Sequence, residues 1–134
     1  MALVLALLAG CAGNKRSDSL TATLNAYQST VRWGSFQRAL EFVSPEYREA
    51  HPLGAIDQAR YQQVRVVGYD EGGGPVAVAD GEVRQAVKIG LVNVHTQRER
   101  FVLDQQIWKW DADAGRWWLT TGLPDIATDD GTTE

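Results

Sequence analysis

Val83-Arg84-Gln85-Ala86-Val87-Lys88-Ile89-Gly90-Leu91-Val92-Asn93-Val94-His95-Thr96 sets apolar Val83, Val87, Ile89 and Leu91 against Arg84 and Lys88. Successive side chains of a strand point to opposite faces, so this alternation predicts a long strand with one wet face and one packed face. Gly90 inside it predicts a bulge or a bend. Working outward, Gln97-Arg98-Glu99 reads as a turn and Arg100 to Asp111 as the next strand. Ala112-Asp113-Ala114-Gly115 reads as a hairpin loop and Arg116 to Thr121 as the last strand. Upstream, Tyr61 to Tyr69 is rich in Val and Tyr, and Asp70-Glu71-Gly72-Gly73-Gly74-Pro75 is a strong turn signal. The reading is therefore about four long strands joined by short turns.

The hairpin carries the large side chains. Trp108 and Trp110 lie two apart and share a face of one strand, while Trp117 and Leu119 share a face of its partner. Placed opposite one another, they form the packed side of the sheet.

Before the strands the period changes. Leu20, Leu24, Tyr27 and Val31 recur at helical spacing, with Ser17, Asp18 or Ser19 available to cap the start. Gly34 interrupts, Ser35 can cap a second helix, and Phe36, Ala39, Leu40 and Val43 form its apolar stripe until Ser44-Pro45 ends it. Further helical turns are expected at Pro45 to Glu49, since Pro suits a first helical position, and at Ala55 to Ala59. Helices first and strands after predict an α+β domain in which N-terminal helices pack on an antiparallel sheet.

The 134 residues allow one domain, and 44% hydrophobic residues with five Trp are enough to fill one core. A net charge of -4 without a Lys or Arg cluster argues against nucleic-acid binding through phosphates. Cys11 is the single cysteine, which excludes an internal disulfide and a cysteine-based metal site.

Leu8-Ala9-Gly10-Cys11 closes the apolar run Ala2-Leu3-Val4-Leu5-Ala6-Leu7-Leu8 and resembles the lipobox of bacterial lipoproteins. The resemblance implies that residues 1–10 are a signal peptide, that Cys11 becomes the first mature residue, and that its thiol carries a diacylglycerol in thioether linkage, with palmitate among the lipid's acyl chains. It also implies a cell-envelope location. Ala12 after the cysteine, where inner-membrane lipoproteins have Asp, points to the outer membrane facing the periplasm. Ten residues without Lys or Arg are fewer than a secretory signal normally has, and a true start upstream of Met1 is the expectation. The apolar run is also far below the ~20 residues of a membrane-spanning helix. Residues 11–19, small and polar, are expected to be a flexible tether, 20–123 the folded domain, and 124–134 a disordered acidic tail.

Within the domain, a helix breaking at Trp33-Gly34-Ser35-Phe36 is followed by Leu40-Glu41-Phe42-Val43-Ser44-Pro45-Glu46-Tyr47. With the hairpin from Trp108-Lys109-Trp110-Asp111 to Gly115-Arg116-Trp117-Trp118-Leu119, this resembles the nuclear transport factor 2-like superfamily. That resemblance implies a cone in which a strongly curved sheet wraps a helix around a pocket, and homodimerisation through the sheet as one arrangement. Members include isomerases and dehydratases that place an Asp with Tyr or Asp donors, or a His with Asp, inside the cone.

The residues able to do such work here are Tyr27, Tyr47, His51, Asp57, Asp70, His95 and Asp104, with His51, Asp104 and Tyr27 foremost. Each has a plain reading. His51 lies in a Pro-flanked surface loop, and His95 faces solvent at a strand end. Asp104 points outward if Phe101, Leu103 and Ile107 point inward, though Gln105-Gln106 disturbs that register. Tyr27 belongs to the helix stripe. Two isolated His at no ligand spacing make a metal site unexpected. Gly72-Gly73-Gly74-Pro75 lacks the phosphate-loop pattern, no GxSxG elbow is present, and no cofactor is expected. The expectation is a non-catalytic, lipid-anchored envelope protein that binds a protein partner or a small apolar ligand through its cone. The alternative is a periplasmic isomerase- or dehydratase-like enzyme.

Overall fold

The computed structural model describes residues 2–127, with side chains from Lys15 onward. Helices pack on a strongly curved antiparallel sheet, giving the α+β architecture that the strand and helix patterns predict and the cone-like form that the resemblance implies. Helix α1 spans Ala2–Trp33, α2 Phe36–Ala39, α3 Pro45–Ala50 and α4 Ala55–Gln62, with a 3-10 turn at Leu40–Phe42. The strands are β1 Val64–Asp70, β2 Val76–Ala79, β3 Glu82–Asn93, β4 Glu99–Asp111 and β5 Arg116–Leu119. Their order is β1-β3-β4-β5, and β2 shares the edge of β3 with β1.

The local stop and start signals act as expected. Gly34 ends α1, and the Ser35 hydroxyl accepts from Arg38 N at 3.1 Å. Ser44 accepts from Tyr47 N at 3.3 Å, with Pro45 opening α3. Asp70 accepts from Gly72 N at 2.9 Å to fold the glycine turn, where Gly72 and Gly74 take positive φ. The hairpin faces are also as expected, since Trp108 pairs with Leu119 and Trp110 with Trp117. Trp108 and Leu119 are fully buried against Leu24, Tyr27, Val87 and Ile89.

Several boundaries differ. Helix α1 does not begin at a Ser17–Ser19 cap but runs through residues 11–19. Tyr27 and its neighbours dock the helix, and each further turn then adds hydrogen bonds without paying for nucleation. Arg16 reaches the sheet, where its carbonyl accepts from Trp117 Nε1 at 3.0 Å and its guanidinium meets Asp80 at 2.9 Å. The second helix ends early, because the chain turns extended at Val43 to bridge Leu119. Helix α4 takes Tyr61, the expected first strand residue, whose ring packs 4.7 Å from Phe36.

The sheet has five strands, not four. Gly90 does mark a bulge, carried by β1, where Val66 faces Leu91 and Gly68 faces Gly90. Beyond Asn93 the strand stops, because the Asn93 side chain accepts from His95 N and Thr96 N and folds a turn. At the chain end 124–127, Pro124 and Ile126 are buried, and Tyr61 Oη donates to Pro124 O at 2.6 Å. The rest of the expected tail, 128–134, lies outside the described residues, as does the side chain of Cys11. Among the described residues no helix is long and apolar enough to cross a membrane.

Candidate functional site

The concave face of β3 and β4 is apolar at its ends and polar in its middle. β4 turns Val102, Asp104, Gln106 and Trp108 inward, opposite Ile89, Val87, Gln85 and Val83 of β3. This corrects the outward placement of Asp104. Phe101 and Leu103 are the residues in solvent, at 59% and 62% exposure. The β3–β4 register runs unbroken from Glu82↔Lys109 to Val92↔Glu99, so Gln105-Gln106 makes no bulge and the phase set by Trp108 extends back to Asp104.

Gln106 organises the cluster. Its amide nitrogen donates to Asp104 Oδ2 at 2.9 Å and to Tyr69 Oη at 3.1 Å. Its amide oxygen accepts from Trp108 Nε1 at 3.0 Å and from Gln85 Nε2 at 3.4 Å. All four hydrogen-bonding positions of that amide are used. Tyr27 caps the cluster from α1, its ring edge-on to Trp108 at 5.3 Å and to Phe42 at 5.5 Å. Its hydroxyl is buried with no hydrogen-bond partner among the described residues, as is Gln85 Oε1.

Burial raises the Asp104 carboxyl to about 6 from 3.8, partly opposed by the hydrogen bond from Gln106. Burial, and then the nearby Asp104 charge, push the Tyr27 hydroxyl well up. Burial likewise raises Tyr69, against the Gln106 bond that lowers it. A carboxyl that titrates near neutrality beside phenols is chemistry of a general-acid or general-base kind. Access to it is a separate matter. Asp104, Gln106 and Tyr27 are absent from the described linings of four surface grooves, which lie at the end of α4, beside α2, beside α3 and at the glycine turn.

The remaining sequence candidates are scattered. His51 caps the end of α3 on the surface, stacked 4.3 Å from Tyr47, and lines a groove of about 280 Å³ with Tyr47, Asp57 and Asp125. Asp57 pairs with Arg60, Asp70 holds its turn, and His95 is exposed in the β3–β4 turn. The structure thus joins Asp104 with Tyr27 and leaves His51 apart. Gln106, Gln85 and Tyr69 were not among the expected site residues. Counting back in twos from Trp108 would have found Gln106, and the strand pairing then leads to Gln85. No group of three or more His, Cys, Asp or Glu able to hold a metal occurs among the described residues.

Comparison with protein-family models, curated proteins and solved structures finds no match. The functional reading therefore rests on the site itself.

Proposed function

We propose that this chain is a lipid-anchored cell-envelope domain, held by acyl chains on Cys11 at the periplasmic face of the outer membrane, which binds a protein partner and performs no chemistry. The observation that carries this is the filling of the concave face. Tyr27, Trp108 and Gln106 are buried on that face, and Asp104 accepts from Gln106 within the same cluster. This also weighs against a small apolar ligand inside the cone. The outward Phe101 and Leu103, with Val67 at 44% exposure on β1, favour recognition on the other side of the sheet.

Two measurements test the reading. Metabolic labelling with a fatty acid is expected to mark the wild type and not Cys11→Ala, and equal labelling would end the anchor hypothesis. A photo-crosslinker at position 103 in cells is expected to give a discrete protein adduct. An adduct of twice the chain mass would make the partner a second copy. Absence of any protein adduct would count against a partner on this face.

A second reading is favoured by one observation, the inward Asp104 at about 6 near the Tyr27 hydroxyl, which has no hydrogen-bond partner among the described residues. As an isomerase- or dehydratase-like enzyme, the protein would use Asp104 to take a proton beside a carbonyl. Exchange of ketone α-protons in D2O, faster with wild type than with Asp104→Asn, would support it. The main reading expects equal rates.

A further inference from the structure

Beside α2 lies a cavity of about 270 Å³ that shares none of its described lining residues with the Asp104 cluster. It forms where α1 stops at Gly34, α4 ends and β1 begins. Val31, Phe36, Leu53 and Val66 give it an apolar wall, and Tyr61 adds its ring, tilted against Phe36 at 4.7 Å. Several polar groups of the lining are already bonded within the protein. The Tyr61 hydroxyl donates to Pro124 O at 2.6 Å, Ser35 Oγ accepts from Arg38 N at 3.1 Å, and Gln58 Nε2 donates to Leu53 O at 3.2 Å.

Two cationic residues of the lining differ from these. Arg32, in the last turn of α1, and Arg65, on β1, form no ion pair with a described residue. Arg65 is exposed, so alone it would hold an anion weakly. Arg32 is the stronger case, because its Nε is buried and has no hydrogen-bond partner among the described residues. A buried N–H without an acceptor has lost its hydration and received no bond in exchange. The ring of Trp33, 5.1 Å from the Arg32 guanidinium, offers a π face but no lone pair to that N–H. The cavity therefore suits a molecule with an anionic acceptor at one end and a short apolar body at the other. A guanidinium presents paired N–H donors that match the two oxygens of a carboxylate. A bare inorganic anion would leave the apolar wall in contact with water. We propose that this cavity is a binding site for a small organic carboxylate, its two oxygens held by Arg32 with Arg65 and its hydrocarbon packed on Phe36, Tyr61 and Val66. The site stands apart from both the acyl anchor and the outward face of the sheet, so it adds a ligand to the reading above without depending on it.

The test uses the full chain labelled with nitrogen-15 and titrated with hexanoate, with hexanamide as the neutral analogue of the same length. Hexanoate is expected to shift the amides of Arg32, Gly34, Gln62 and Arg65 saturably and to leave those of β5 in place. Hexanamide and inorganic phosphate should each bind at least tenfold more weakly, the first because it lacks the charge and the second because it lacks the apolar body. Arg32→Gln should weaken hexanoate binding at least tenfold and Arg65→Gln at least threefold. Absence of a saturable shift at these amides would overturn the proposal, as would equal affinity for hexanoate and hexanamide, or phosphate binding more tightly than hexanoate. Shifts centred on Gln106 and Trp108 would also overturn it, by placing the ligand on the concave face. The comparison of hexanoate with hexanamide needs only the wild type, so it decides the matter even where a variant fails to fold.

Discussion

The carboxyl of Asp104 loses most of its hydration on folding, and the single amide hydrogen from Gln106 replaces part of it, so its pKa rises from 3.8 to about 6. Between those values the folded chain binds more protons than the unfolded chain, and stability falls as pH rises through this range. The full penalty, roughly 3 kcal/mol by the linkage relation, is present above about pH 7. Urea unfolding at pH 4.5 and pH 8 should show wild type losing stability between the two while Asp104→Asn stays nearly flat, and at pH 8 the variant should be the more stable by about 1 to 3 kcal/mol. Identical pH profiles would refute the buried ionisable group. Tyr27→Phe removes a buried hydroxyl that has no partner among the described residues, so it is expected to be neutral or stabilising by up to about 1 kcal/mol. A loss above that in the same assay would mean that the hydroxyl is bonded. The face of Asp104 was legible from Trp108 by simple alternation, yet apolar Phe101 and Leu103 argue for the opposite phase. Hydrophobicity alone misleads here because the sheet puts polar side chains inside and apolar ones outside.

At the level of elements, what could be read was what neighbouring residues decide among themselves. The Ser35 and Ser44 caps and the Asp70 turn each close within three residues, and each occurs where the sequence places it. What could not be read depends on distant partners. The reach of α1 past Ser17 follows from its docking on β5, and the exposed strand β2 exists because one edge of β3 is vacant for Val76 and Ala77 to pair with Arg84 and Val83. The first turns of α1 that carry side-chain contacts are fixed by Trp117 more than by charge. Asp80 is 91% exposed, so Asp80→Ala should cost less than about 1 kcal/mol in thermal or urea unfolding despite its 2.9 Å pair with Arg16. A larger loss would show that the ion pair holds the helix.

Over the whole molecule, the architecture was legible because the tryptophan pattern names both partners of one hairpin and therefore the packed side of the sheet. The filled interior was not, since an inward Gln-Asp-Tyr cluster leaves no apolar trace in the sequence. The packing sets an order of costs. Trp108→Ala, at a fully buried site, should destabilise by about 3 to 5 kcal/mol, and Trp110→Ala and Leu40→Ala, at half-buried sites, by less. Equal losses at Trp108 and Trp110 would contradict that ranking. One helix, Ala2–Trp33, passes unbroken from Cys11 to the contact of Arg16 with β5, five residues or about 7.5 Å along its axis. An acyl chain on Cys11 would then act at the short end of a lever instead of on a leash. It would fix the stand-off and tilt of the domain, and so decide which side of the sheet looks away from the lipid.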